Sequence, residues 1–453
     1  MYAAEKRVDR FYVRGDSDQR TIFERDRDRL LHTASLQRLA RVTQVVNPTE
    51  GRSYHNRLTH TLKVAQIARR IAENLIRQSP PELIEQLGGL NADVVEAAAL
   101  AHDLGHPPFG HIGETQLNEC VSRYNIDGYE GNAQSFRIIT KLEIWREGVD
   151  GLNLSRATVN ALIKYPWFRP TYNHPMEIRN KKWGAYHTEQ IEFDWARELS
   201  NLYPEKYEGM ALEAAIMDWA DDIAYATHDM EDFYRAGLIP LRLLFLDNSI
   251  NDSERERFLR SVIEWRKKDT EELDIRKVFE EFINFCSFEP YRGTRRQQLV
   301  LRSVVSTLIG RYVQNTKISV EASVNSQSPR LDIPPDIYLE VKILKDLTRY
   351  YVINRPSLST QQFGEARVIY DLFNYYFEAS SKTSQGRLVS PILPPDFQLL
   401  LDSEIRKNEL LSEDAIRARV VADLISGLTD DEALYLHKRL SGINPGSFLD
   451  RIF

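Results

Sequence analysis

The spacing of apolar residues along this 453-residue chain is that of helices. Between Thr59 and Ile76 the apolar positions Leu62, Val64, Ile67, Ala68, Ile71, Ala72 and Leu75 recur every three or four residues, which places them on one helix face. Asp93–Leu104 reads as an alanine-rich helix capped by Asn91 and stopped by Gly105, Pro107, Pro108 and Gly110. Leu212–Tyr234 reads as one long helix ending before Gly237 and Pro240. Further helices are predicted over Ser253–Lys267, Glu271–Phe285, Arg296–Val313, Leu339–Val352, Phe363–Ala379 and Glu413–Leu440. Strand signals are few, with Lys317–Ala322 the candidate for a small ribbon. Asn325–Pro335 and Ser380–Pro395, polar and Pro-containing, are predicted loops. The pattern therefore predicts an all-α, mainly helical chain with at most a small β ribbon: a helical body over 1–379 and a helical appendage over 380–453.

Composition narrows the classes without changing that picture. With 42% hydrophobic and 28% charged residues the chain is ordinary for a globular protein. Its net charge of -7 and the lack of a basic stripe argue against a general nucleic-acid binder, while single-stranded DNA stays open as a partner without being indicated. An anionic ligand would need a few local cations or a metal. Two cysteines, Cys120 and Cys286, make neither a disulfide framework nor a zinc ribbon and fit a reducing compartment. The charged start, Met1 to Arg7, is no signal peptide, and apolar runs such as Leu241–Leu246 are too short to span a bilayer. The expectation is a cytoplasmic protein with no membrane partner.

Candidate chemistry concentrates in the histidines. Of ten, five fall between His55 and His111, and His102, His106 and His111 lie within ten residues around a Gly/Pro-broken helix end. Imidazoles with carboxylates beside them make sites for divalent ions. Adjacent His102 and Asp103 point about 100° apart on a regular helix, so both flank one metal only if it sits in a groove between them. The Gly/Pro run lets the backbone return His106, His111 and Glu114 toward that ion. Arg57 and His60 lie one helical turn apart. Asp221, Tyr225 and Asp229 stand at i, i+4 and i+8 along one helix face.

The ordered set His60, His102-Asp103 and Asp221 resembles the signature of the HD-domain phosphohydrolases. The strings around it resemble the deoxynucleoside triphosphate (dNTP) triphosphohydrolases, the dGTPase-like group: Phe23–Arg29, Thr43–Val46, Asn56–His60, His102–His111, Tyr129–Gln134, Ala220–Asp229, Arg235–Gly237 and Leu344–Thr348. The resemblance runs through most of the chain to about Tyr376 and implies the HD-type helical fold. It implies that His60, His102, Asp103 and Asp221 bind one divalent metal, Mg²⁺ or Mn²⁺, with another transition metal as the alternative. It also implies water attack at the α-phosphorus of a dNTP, with dGTP a candidate for the preferred one, giving deoxynucleoside and inorganic triphosphate. Within it, His111 and Glu114 match the catalytic pair and His106 a second active-site histidine. Arg57 matches a phosphate contact, Gln44 a nucleoside contact, and Tyr225 with Asp229 the sugar-reading residues, while Glu130 to Gln134, Asn132 among them, would line the pocket.

Two positions depart from the pattern. Asp222 stands where some relatives carry a phosphate-binding lysine, so other cations must serve; Arg292, Arg295 and Arg296 are the candidates, a phosphate-binding addition near 291–296. Gly131 replaces a histidine of some relatives. The resemblance also implies a homo-oligomer with an allosteric dNTP activator. Two other readings stay open: a different HD phosphohydrolase, nucleotidase or phosphodiesterase, and a nucleotide-sensing regulator with a vestigial metal site. The presence of all four ligand positions and of His111 and Glu114 weighs against the second.

Overall fold

Local caps and buried stripes set the helical frame. A computed structural model of the chain describes residues 2–13, 18–45, 55–201, 209–245, 254–268, 270–285, 291–319, 330–381, 390, 392–408 and 410–447. Val46, Tyr54, Leu246, Ser253, Cys286, residues 320–322 of the strand candidate, 325–329 of the first loop and most of the second lie outside the described residues. The principal helices are α1 (Ile22–Leu31), α2 (Arg57–Gln78), α3 (Ala92–Ala101), α4 (Gly110–Val121), α5 (Gly131–Arg137), α6 (Arg156–Leu162), α7 (Gln190–Asn201) and α8 (Leu212–Arg235). They continue with α9 (Glu254–Arg266), α10 (Glu272–Phe285), α11 (Arg295–Asn315), α12 (Pro335–Thr348), α13 (Pro356–Ala379), α14 (Pro395–Lys407), α15 (Glu413–Ser426) and α16 (Asp430–Leu440). Lys317–Ile318 (β1) pairs antiparallel with Leu331–Asp332 (β2) in a two-stranded ribbon. The mainly helical class holds, with helix taking 68% of the structure.

α2 begins at a reciprocal cap: Asn56 Oδ1 accepts the Thr59 N–H at 2.8 Å, and Thr59 Oγ1 accepts the Asn56 N–H at 3.1 Å. Its stripe of Val64, Ile67, Ala68, Ile71, Ala72 and Leu75 is buried against α3, α8 and their neighbours. α3 is buried from Ala97 to Ala101, and its small side chains admit α2 and α8 closely. α8 is about 36 Å long and closes on Gly237 at φ 72°, where the Leu238 and Gly237 N–H groups bond back to Phe233 O and Tyr234 O at 2.8 and 3.0 Å.

Several boundaries differ from the apolar pattern, each for a local reason. The helix predicted over Asp93–Leu104 stops at Ala101, so His102 and Asp103 sit in the turn after it rather than on a regular helix. The helix predicted from Leu339 starts at Pro335 and passes into a wider turn at Arg349–Ile353. The one predicted from Phe363 starts at Pro356, since proline suits a first helical turn. Glu413–Leu440 is two helices: α15 ends at Ser426, and Thr429 and Glu432 form a capping box that opens α16. Leu331–Asp332, read as loop, is β2.

A second apolar core joins Phe109, Leu117, Cys120 and Val121 on and beside α4 to Leu372, Phe373, Tyr376, Val421, Ile425 and Leu436 of the C-terminal helices. A buried ion pair ties the same helices to the rest: Arg137 Nε and Nη2 donate to the two oxygens of Asp423 at 3.0 and 2.9 Å, and Nη1 donates to Glu189 Oε1 at 2.5 Å. Removing one partner strands a charge in the interior. Asp423→Ala is therefore expected to lower unfolding stability by about 3–5 kcal/mol, measured as a lower urea midpoint at unchanged slope.

Candidate active site

Three elements converge. The cap of α2 fixes Arg57 and His60 in its first turn, both buried. At the end of α3, His102 Nδ1 bonds Ala99 O at 2.7 Å, which leaves the Nε2 lone pair free. That Nε2 is buried with no hydrogen-bond partner. From α8, Asp221 Oδ1 lies 2.9 Å from His60 Nε2 and 3.8 Å from His102 Nε2. Ligand atoms of His60, His102 and Asp221 all fall within 4.8 Å of one another. Asp103 flanks them: Oδ2 accepts Arg57 Nη1 at 2.9 Å, and Oδ1 is 3.4 Å from His102 Nε2 and 3.0 Å from His106 Nδ1. Burial works against the charge on both acids. For Asp103 it is outweighed by His102, His106 and Arg57, and for Asp221 by the His60 hydrogen bond, His102 and Lys164, so both carboxyls stay well below their usual range. Two imidazoles, two carboxylates and an orphaned nitrogen suit a divalent cation.

A second group sits where α4 begins. Gly105 lets the preceding turn press on α5, since a Cβ there would meet Gly131 O at 2.2 Å. His111 Nδ1 is 3.0 Å from Glu114 Oε2, and the rings of His106 and His111 meet edge to face at 5.3 Å. Glu114 Oε1 accepts Lys182 Nζ at 2.8 Å and the Gly131 N–H at 3.1 Å, and Lys182 also binds Glu130 Oε1 at 2.9 Å. Histidine 106, histidine 111 and Glu114 are also close enough to share an ion, but Lys182 already neutralises Glu114, which suits proton handling better than a second cation.

Burial pushes His106 down to about 4 from an ordinary 6.5. Between those values the unfolded chain binds more protons than the folded one, so stability rises with pH across that window and is lost as pH falls through it. The depressed Asp103 and Asp221 extend the loss below their ordinary 3.8. The melting temperature in chelator is expected to fall as pH drops from 6.5 to 4, and His106→Asn is expected to flatten that fall; calorimetry against pH checks it.

On α8, Tyr225 and Asp229 follow Asp221 along one face. Asp229 is buried and its Oδ2 has no hydrogen-bond partner; burial, then Asp232, push its carboxyl well up. Gln44 Oε1 and Arg57 Nη2 are likewise buried without partners. Asn132 is committed locally, its Nδ2 donating to Glu130 Oε1 at 2.8 Å. Arg292, Arg295 and Arg296 are exposed where α11 begins, and no contact among the described residues joins them to either group. Asp222 is instead answered from α12: Lys342 Nζ bonds its Oδ2 at 2.6 Å, and Lys345 bonds Oδ1 while lying 5.1 Å from the Tyr225 ring centre. Lys164, paired with Asp218, also acts on Asp221. Of these four lysines only Lys345 lies in a family-like string, Leu344–Thr348. Lys164, Lys182 and Lys342 carry no local signal, because their partners are distant in the chain.

The HD domain family matches residues 57–226 and the phosphohydrolase-associated domain family matches 331–439. The fold is that of an HD-domain phosphohydrolase, and the HD-domain match spans the parts of α2, α3 and α8 that bring the His/Asp group together. Curated relatives give the finer class. A deoxyguanosinetriphosphate triphosphohydrolase-like protein of Streptomyces coelicolor is 35% identical over 438 residues, 93% of each chain. Proteins of the same description from Corynebacterium efficiens and Bifidobacterium longum are 34% and 33% identical, covering 94% of this chain and 93% and 84% of theirs. The chain belongs to the dGTPase-like family of HD-domain phosphohydrolases. No helix among the described residues is long and apolar enough to cross a membrane.

Proposed function

We propose that the protein hydrolyses deoxynucleoside triphosphates to deoxynucleoside and inorganic triphosphate, using one divalent metal held by His60, His102, Asp103 and Asp221. The observation that carries this is the face of α8, which aligns Asp221 of the metal group with Tyr225 and the buried carboxyl of Asp229, whose Oδ2 has no hydrogen-bond partner. A buried carboxyl oxygen without a hydrogen-bond partner is costly unless a ligand hydroxyl supplies one. A sugar 3′-OH does so, and the Tyr225 ring against C2′ leaves no room for a 2′-OH.

When bound, a divalent ion supplies positive charge against a phosphate oxygen and acidifies water. The remaining work falls to the chain. Arg57, clamped by Asp103 and the Thr43 carbonyl, has Nη2 left for a phosphate oxygen. Lys164, Lys182 and Lys345 are each already paired with a carboxylate, Asp218, Glu114 and Asp222, so they would serve a polyphosphate in place of a lysine at 222 only by sharing those partners. His111, with Nδ1 held by Glu114, handles the proton at Nε2, on the attacking water or on the leaving 5′-oxygen. Gln44 Oε1 is free to meet the nucleoside. The relatives' description as dGTP triphosphohydrolase-like supports the substrate class.

The test is product analysis with each of the four dNTPs, singly and in pairs, with Mg²⁺ or Mn²⁺. Deoxynucleoside plus tripolyphosphate is expected, with ribonucleotides turned over poorly; pairs expose activation by a second dNTP. Orthophosphate as the sole inorganic product would instead favour a nucleotidase.

A further inference from the structure

The turn 102–109 carries His102, Asp103 and His106 and delivers His111 and Glu114 to the site. It ends in an unusual conformation: Phe109 is left-handed at φ 64° and ψ 17°, and Gly110 follows at φ 59°. A non-glycine residue holds that conformation only where its surroundings fix it. Part of the fixing comes from 321 residues away. Asp430, the first residue of α16 and 3% exposed, accepts the Phe109 N–H on Oδ1 at 2.9 Å. Its other oxygen accepts the Thr43 N–H at 2.9 Å and the Thr43 hydroxyl at 2.5 Å. The Thr43 carbonyl accepts Arg57 Nε at 3.0 Å, and Gln44 is the next residue. From the other side Arg38 donates to three carbonyls, Leu104 at 2.9 Å, His106 at 2.7 Å and Leu428 at 2.9 Å, so it ties the same turn to the chain just before α16.

We propose that Asp430 is a positioning residue for the reaction: one carboxylate oxygen holds Phe109, and so aims His111 and Glu114, while the other holds Thr43, and so places Arg57 and Gln44. The inference rests on the roles given to those four residues above. It makes the C-terminal helices part of the site without contributing a group that touches substrate. A carboxylate is needed because three donors converge on two oxygens. An asparagine of the same size would keep its one oxygen on the two Thr43 donors and turn its NH₂ toward the single Phe109 N–H, which releases that side.

The experiment uses the full chain with Asp430→Asn and Thr43→Val, followed by hydrogen exchange over 104–112, 40–45 and α8, and by steady-state release of triphosphate from dGTP with Mn²⁺. Asp430→Asn is expected to speed exchange at 104–112 with α8 unchanged, and to lower kcat per folded molecule by about tenfold to a hundredfold. Thr43→Val loosens the other side alone: KM rises and exchange quickens at 40–45, while 104–112 exchanges as in the wild type. Wild-type exchange at 104–112 in Asp430→Asn overturns the proposal. So does exchange that quickens equally throughout α8, which would mark a loss of stability only. If the wild type releases no triphosphate from any dNTP, the substrate reading fails, and the exchange pattern alone decides the role of Asp430.

Discussion

Asp221→Ala is expected to abolish release of triphosphate from every dNTP, with turnover down by about a thousandfold or more. Asp221 supplies the carboxylate of the closest-set ligand group, 2.9 Å from His60 and 3.8 Å from His102. Its loss removes one of two negative charges that would face a divalent ion and leaves buried imidazoles and Lys164 without their shared partner. Metal-assisted stabilisation of a phosphoryl transition state is worth several kcal/mol, and each 1.36 kcal/mol is about tenfold in rate. Metal content after dialysis should fall together with activity, read by elemental analysis and by ion chromatography of the products. Turnover unchanged in this variant would sink the assignment of the metal group.

His111→Ala is expected to lower kcat by about a hundredfold to ten-thousandfold, the range for a lost general acid or base, with little change in melting temperature. The side chain is 69% exposed, so its removal leaves no cavity, whereas its partner Glu114 is buried and held by three donors. The contrast separates chemistry from stability: Glu114→Gln would disturb Lys182 and the Gly131 N–H as well as His111, and would report on both. Metal content should stay at the wild-type level in His111→Ala. A variant that keeps full kcat would remove His111 from the proton-transfer role and leave the buried, neutral His106 as the group to test.

The gap between the two kinds of information is visible at particular residues. The stripe of α2, the cap at Asn91 and the Gly237 stop are local, set by residues within one or two helical turns, and the sequence is enough to read them. Local signals also stood at the boundaries that differed. The Thr429/Glu432 box splits the last predicted helix, and there the buried apolar residues Leu428 and Ala433 stand five apart, so the three-four spacing lapses across it. Pro356 starts α13 two turns before Phe363, and Phe363 itself is exposed while Leu358 in the first turn is buried. The end of α3 at Ala101 matters more, because it leaves His102 as the cap residue, with His102 Nδ1 turned back on Ala99.

By itself the sequence determined the helical class, the family signature and which histidines and carboxylates are candidates, since periodicity, caps and ordered motifs are written in neighbouring residues. Only the tertiary structure decided which atoms are already spent and which are open. It answers Asp222 with Lys342 and Lys345, 120 and 123 residues away, leaves Arg295 exposed, and leaves single atoms of His102, Gln44, Arg57 and Asp229 buried without partners. It also fastens Phe109 and Thr43 to Asp430. Burial and long-range pairing set the charge and availability of each group, and both depend on how distant helices pack.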